Sequence, residues 1–161
     1  MVSVNGTIGG SRSEPARFID HVAIAVLDAD SASRWYTGRL GLRVAYDEAV
    51  TAAGVRLMYL AGTANDPQAM LQLVQPVAPG PVETFIREHG EGLHHVCFAV
   101  AAIGAALAMA DDPGLGEFVG GRGRRACFLA GTPNNVTIEL TELQPCDLPL
   151  PWAEYVRQAA S

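Results

Sequence analysis

Ile19-Asp20-His21-Val22-Ala23-Ile24-Ala25-Val26 and Leu93-His94-His95-Val96-Cys97-Phe98-Ala99-Val100 are two versions of one pattern. His, Val, Ala and Val coincide in register, at an offset of 74 from residue 21 to residue 95. Both stretches are short and apolar and read as strands. A pattern that restarts in mid-chain marks an internal repeat. The copies also end alike. Leu71-Gln72-Leu73 aligns with Ile138-Glu139-Leu140, at an offset of 67 from residue 72 to residue 139.

Working outward, each copy reads β-α-β-β-β. In the first, Phe18 to Val26 is a strand, and Asp28 or Asp30 caps a helix bearing Ala32, Trp35, Tyr36 and Leu40 that Gly41 ends. Strand-like runs follow at Leu42–Tyr46, Val55–Ala61 and Met70–Gln75. In the second, Leu93–Val100 is a strand and Ile103–Ala110 an Ala-rich helix, followed by strands at Glu117–Val119, Arg125–Ala130 and Val136–Leu143. Between them Pro81 opens a short helix, Val82 to His89, closed by Gly90. The expected organisation is a loose tail over 1–16, a first module over 17–76, a connector over 77–91, a second module over 92–144, and a tail over 145–161 with a short helix at Pro151–Ala160. The fold class is α+β.

Composition excludes several functions. The net charge is −6, and the 11 Lys and Arg form no basic stripe, which argues against nucleic acid. No apolar run approaches the ~20 residues that span a bilayer, so no membrane is expected. The three cysteines, Cys97, Cys127 and Cys146, with no signal-peptide pattern over Met1–Ala16, point to reduced thiols in a cytoplasm. Arg122, Arg124 and Arg125 form the one basic cluster. It reads either as a solvated loop or as a site for an anionic substrate group, since Arg pairs well with carboxylate and phosphate.

Alternate side chains of a strand lie on opposite faces. That parity sets His21 with Ala23 and Ala25, His95 with Cys97 and Ala99, Gln72 with Met70 and Val74, and Glu139 with Thr137 and Thr141. The opposite faces are bulky and apolar and suit packing under a helix. Each residue alone reads as an ordinary structural side chain. Four at matching places in a repeat read as one site, with small neighbours leaving room for a substrate. Two imidazoles, an amide oxygen and a carboxylate suit one divalent ion, Zn, Mn, Co, Ni or Fe(II), and only one ligand is anionic. The ion would keep positive charge and act as a Lewis acid. His94 lies, by parity, on the face opposite His95 and reads as structural or as a support for the ligands.

These residues resemble the vicinal oxygen chelate superfamily, which includes glyoxalases, extradiol dioxygenases and fosfomycin-resistance enzymes. Within it the chain looks most like the methylmalonyl-CoA epimerases. The resemblance rests on Asp20 to Val26, Trp35-Tyr36 with Leu40-Gly41-Leu42, Gly54-Val55-Arg56, Gly90-Glu91-Gly92-Leu93-His94-His95-Val96 and Ile138-Glu139-Leu140, across roughly residues 17–143. It implies paired modules forming one curved mixed sheet around a metal held by His21, Gln72, His95 and Glu139, and a homodimer, to which the apolar side of Trp152–Val156 would contribute. Two departures stand out. Such epimerases commonly carry His-Pro-Lys where this chain has Ala130-Gly131-Thr132-Pro133, and some use a Glu near the position of Leu57.

The expected activity is that of an epimerase or isomerase taking an acidic proton from beside a carbonyl, in a small-molecule substrate such as a coenzyme A thioester or a polyketide-like intermediate. Glu139 and Glu48 are the candidate bases. The alternatives are a glyoxalase-type lyase or non-haem Fe(II) dioxygenase of the same fold, and a metabolite- or drug-binding resistance protein.

Overall fold

The computed structural model describes residues 18–62 and 69–144. The two tails, Cys146 and the Pro151–Ala160 helix lie outside the described residues. In chain order the elements are β1 (Phe18–Ala25), α1 (Ala29–Leu40), β2 (Arg43–Val50), β3 (Val55–Ala61), β4 (Met70–Pro76), α2 (Pro81–His89), β5 (Gly92–Val100), α3 (Ile103–Ala110), β6 (Glu117–Val119), β7 (Arg125–Phe128) and β8 (Ile138–Glu142).

All eight strands join one curled mixed sheet in the order β2-β3-β4-β1-β5-β8-β7-β6. The order is the same from either end when β1 to β4 are exchanged for β5 to β8, as two β-α-β-β-β modules related by a pseudo-twofold require. The parallel pairs are β1 with β4 and β5 with β8; the others are antiparallel. The modules meet at β1 and β5, so the two repeated His-bearing strands lie side by side at the centre.

Local chemistry sets the ends. The Asp28 carboxylate accepts the Ser31 amide at 3.0 Å and caps α1. Gly41, at φ 68°, ends it in the left-handed region where a side chain would be strained. Asp30, the other candidate cap, instead takes the Arg56 guanidinium. β2 runs to Val50, longer than its apolar run suggests, because Tyr46 to Val50 pair with β3.

The outer face of the first module buries Met58, Leu60 and Leu73 with Ala29, Ala32 and Tyr36 of α1. The outer face of the second buries Val100, Cys127 and Leu140 with Ile103 and Ala106 of α3. Burying each large side chain contributes about 1.5–3 kcal/mol. The inner face collects Ala23, Ala25, Val55, Leu57, Tyr59 and Val74 with Val82, Phe85 and Ile86 of α2. The connector helix therefore walls the concave side, where the site lies. No helix of the described residues is long and apolar enough to cross a membrane, and Cys97 and Cys127 are buried free thiols.

Candidate metal centre and substrate cavity

The centre follows from the pairing of four strands. Ala23 on β1 lies between Gln72 on β4 and His95 on β5, and Cys97 on β5 lies between His21 on β1 and Glu139 on β8. Ala23 and Cys97 are fully buried and small, so the four larger side chains rise around them. The His21 and His95 Nε2 atoms are 3.3 Å apart, and Glu139 Oε2 lies 3.3 Å from the first and 2.9 Å from the second. Bonds of about 2.0–2.2 Å to one ion place neighbouring donors roughly 3 to 3.5 Å apart, so these separations fit a shared ion. Gln72 lines the same cavity, and its buried Oε1 has no hydrogen-bond partner. An orphaned buried acceptor is costly unless something polar meets it, and a cation would do so. The donor chemistry and the orphan both fit a divalent ion.

Aromatic rings hold the imidazoles symmetrically. Tyr59, opposite Gln72, meets His21 edge-on at 5.5 Å, and Phe128, opposite Glu139, meets His95 edge-on at 5.3 Å. Burial pushes the Tyr59 hydroxyl up to about 12. Burial would raise the Glu139 carboxyl, but hydrogen bonds to His21 and His95 hold it well below the usual range. Burial would lower His21, yet the carboxylates of Asp20 and Glu139 raise it. Glu139 therefore stays ionised beside the two rings and offers a cation an anionic donor.

Strand parity alone does not account for Asp20 and His94. Between Ile19 and His21, β1 advances two residues while β5 advances one, from Phe98 to Cys97. Asp20 is thus the extra residue of a β-bulge. Between Ala23 and Ile24 the reverse occurs: β5 runs from His95 to Leu93, and His94 is the extra residue. The two bulges sit at equivalent positions of the repeat. Each turns a polar residue back onto its neighbouring imidazole. Asp20 Oδ2 lies 2.7 Å from His21 Nδ1, and His94 Nδ1 lies 2.8 Å from His95 Nδ1. Both contacts leave the Nε2 atoms directed at the shared point, and the Asp20 carboxylate, which can only accept, holds His21 as the Nδ1–H tautomer that binds metal through Nε2. His94 also packs on Phe85 and lines the cavity, so it is not confined to the opposite face. Burial holds it near 4, hence neutral. The one legible signal was the repeat itself, in which a polar residue precedes each His at the same offset.

The basic cluster is not simply a solvated loop. Arg122 and Arg124 turn inward and hydrogen-bond Asp20, and Arg122 lies 4.7 Å over the Tyr59 ring. Arg125 is exposed and pairs with Glu117 and Glu142. Burial opposes ionisation of Asp20, but the His21 hydrogen bond and the Arg122 charge outweigh it and hold the carboxyl near 2. Glu48, in contrast, is not among the cavity-lining residues. Its carboxylate accepts the Arg122 backbone amide at 2.6 Å and straps the 121–123 turn to β2.

Residues 20–128 match the model of the Glyoxalase/Bleomycin resistance protein/Dioxygenase superfamily. The chain is 30% identical over 132 residues to the uncharacterized protein YqjC of Bacillus subtilis, covering 77% of this chain and 91% of that one. It is 31% identical over 90 residues to the ethylmalonyl-CoA/methylmalonyl-CoA epimerase of Cereibacter sphaeroides, covering 55% of this chain and 64% of that one. A methylmalonyl-CoA epimerase variant of Streptomyces coelicolor, solved in complex with 2-nitronate-propionyl-CoA, superposes with a TM-score of 0.73 at 28% identity, covering 83% of this chain and 99% of that one.

Proposed function

The chain belongs to the Glyoxalase/Bleomycin resistance protein/Dioxygenase superfamily, and we propose that it is a metal-dependent epimerase or isomerase that moves an acidic proton beside a carbonyl. The observation that carries this reading is the cluster of His21, His95 and Glu139 donors in the cavity that Gln72, with its partnerless buried Oε1, also lines. A divalent ion held by these four side chains would polarise a substrate carbonyl and acidify the adjacent C–H. Asp20 and His94 hold the two imidazoles in place. The apolar walls keep water from the reacting carbon and so strengthen local electrostatics.

For the substrate we propose a coenzyme A thioester, on the likeness to acyl-CoA epimerases. For the base we propose Glu48. It pairs directly across β2–β3 with Leu57, so it shares the face of the position where the resembled epimerases carry a Glu. To take a proton its carboxylate must leave the Arg122 amide. Glu139 is the weaker candidate, because it is also a proposed ligand.

Proton NMR of metal-loaded protein in deuterium oxide, with a panel of acyl-CoA thioesters, tests this. We expect deuterium to enter the α-carbon only with metal present. Glu48→Gln should lower the exchange rate by about 100-fold or more with metal content unchanged. Absence of exchange with every thioester in fully loaded protein would defeat the proposal.

A further inference from the structure

The cavity has two chemically different ends. Its floor carries His21, Gln72, His95 and Glu139. Its walls come from Val50, Val55 and Leu57 on one side, Val82 of α2 above, and Phe118 and Phe128 on the other. The cavity measures about 160 Å³ and opens to solvent at its mouth, room for an apolar group roughly the size of benzene. A chelated pair of oxygens occupies only the floor. Among the described lining residues the one cationic side chain is Arg122; Asp20 matches its charge and the ring of Tyr59 faces it, while its buried Nε has no hydrogen-bond partner. A charged group beyond the floor thus meets apolar surface and an arginine whose charge Asp20 already matches. Transferring a carboxylate there from water is unfavourable, whereas each methylene gains.

We infer that the group attached to the reacting carbonyl is an uncharged, apolar acyl chain several carbons long, bound between Leu57, Val82 and Phe118, and that a second carboxylate is selected against. This rests on the metal reading above and goes beyond it by naming the substrate's acyl class. Leu57 stands at the centre of the selection. An acidic residue there would be compatible with short polar acyl groups, whereas leucine extends the apolar wall.

The test is binding of straight-chain alkyl hydroxamic acids, from acetyl to octanoyl, to cobalt-loaded protein. It is followed by the change in the cobalt absorption spectrum and by calorimetry. We expect Kd to fall roughly fourfold per methylene until the cavity is filled. A hydroxamate of equal length ending in a carboxylate should bind at least about tenfold more weakly. Leu57→Glu should flatten the series with cobalt content unchanged. A chain-length series that is flat in the unmodified protein, or tighter binding of the carboxylate-bearing compound, overturns the inference while leaving the metal centre intact. Failure to load cobalt, or no hydroxamate binding at all by loaded protein, overturns the metal reading and the inference with it.

Discussion

Replacing Asp20 separates two roles that one carboxylate plays. Its oxygens accept His21 Nδ1 at 2.7 Å and Arg124 Nη1 at 2.9 Å, and also take Arg122. The side chains of Asp20, Arg122 and Arg124 are 5%, 10% and 7% exposed. Asp20→Ala therefore removes the carboxylate that faces Arg122 and Arg124, and losing one partner of a buried ionic cluster costs about 3–5 kcal/mol. The same change frees the His21 ring to rotate or to protonate Nε2, which should weaken metal binding by roughly 10- to 100-fold, or about 1.4–2.7 kcal/mol. Urea denaturation of metal-free protein measures the first effect. Competition against a chromophoric chelator measures the second. The pair Asp20→Ala/Arg122→Leu removes the Arg122 charge as well and should recover part of the stability while leaving metal affinity low. Asp20→Asn keeps an acceptor for the His21 N–H and should lose less affinity than Asp20→Ala. If Asp20→Ala left metal affinity within about twofold of the parent, the carboxylate would not be orienting His21. A stability loss under about 1 kcal/mol would show that the arginines find water instead.

Two further outcomes follow from the same geometry. His95→Ala should abolish metal binding, and His94→Ala should weaken it by roughly 10- to 100-fold through the lost 2.8 Å contact with His95 Nδ1; metal content after gel filtration decides, and full retention in His94→Ala would show that contact to be idle. Gly121→Ala should destabilise by about 1–3 kcal/mol, because its Cβ would fall 2.1 Å from the Tyr59 hydroxyl and 2.8 Å from Leu57 Cδ1; Tyr59→Phe in the same chain should recover part of that loss in thermal denaturation, and no recovery would place the strain elsewhere.

The sequence by itself determined the two modules, because an apolar pattern that recurs with its helix and strand signals intact can bury its face only against its own copy. It also set His21, Gln72, His95 and Glu139 opposite the bulky residues of their strands, since side-chain alternation is a local property of extended backbone. The structure brings the His21, His95 and Glu139 donors to within 3.3 Å of one another. Tertiary structure alone decided what surrounds them. A β-bulge belongs to a pair of strands and not to either one, so period-two reading put His94 on the wrong side and gave Asp20 no role. The arginine cluster was visible, but its partner lies 102 residues earlier for Arg122 and 104 for Arg124. Burial beside that carboxylate, and not the run of basic residues, decides what those charges do. The cavity walls likewise come from β2, β3, α2, β6 and β7. They are adjacent only because the sheet curls, and no spacing along the chain encodes that curvature.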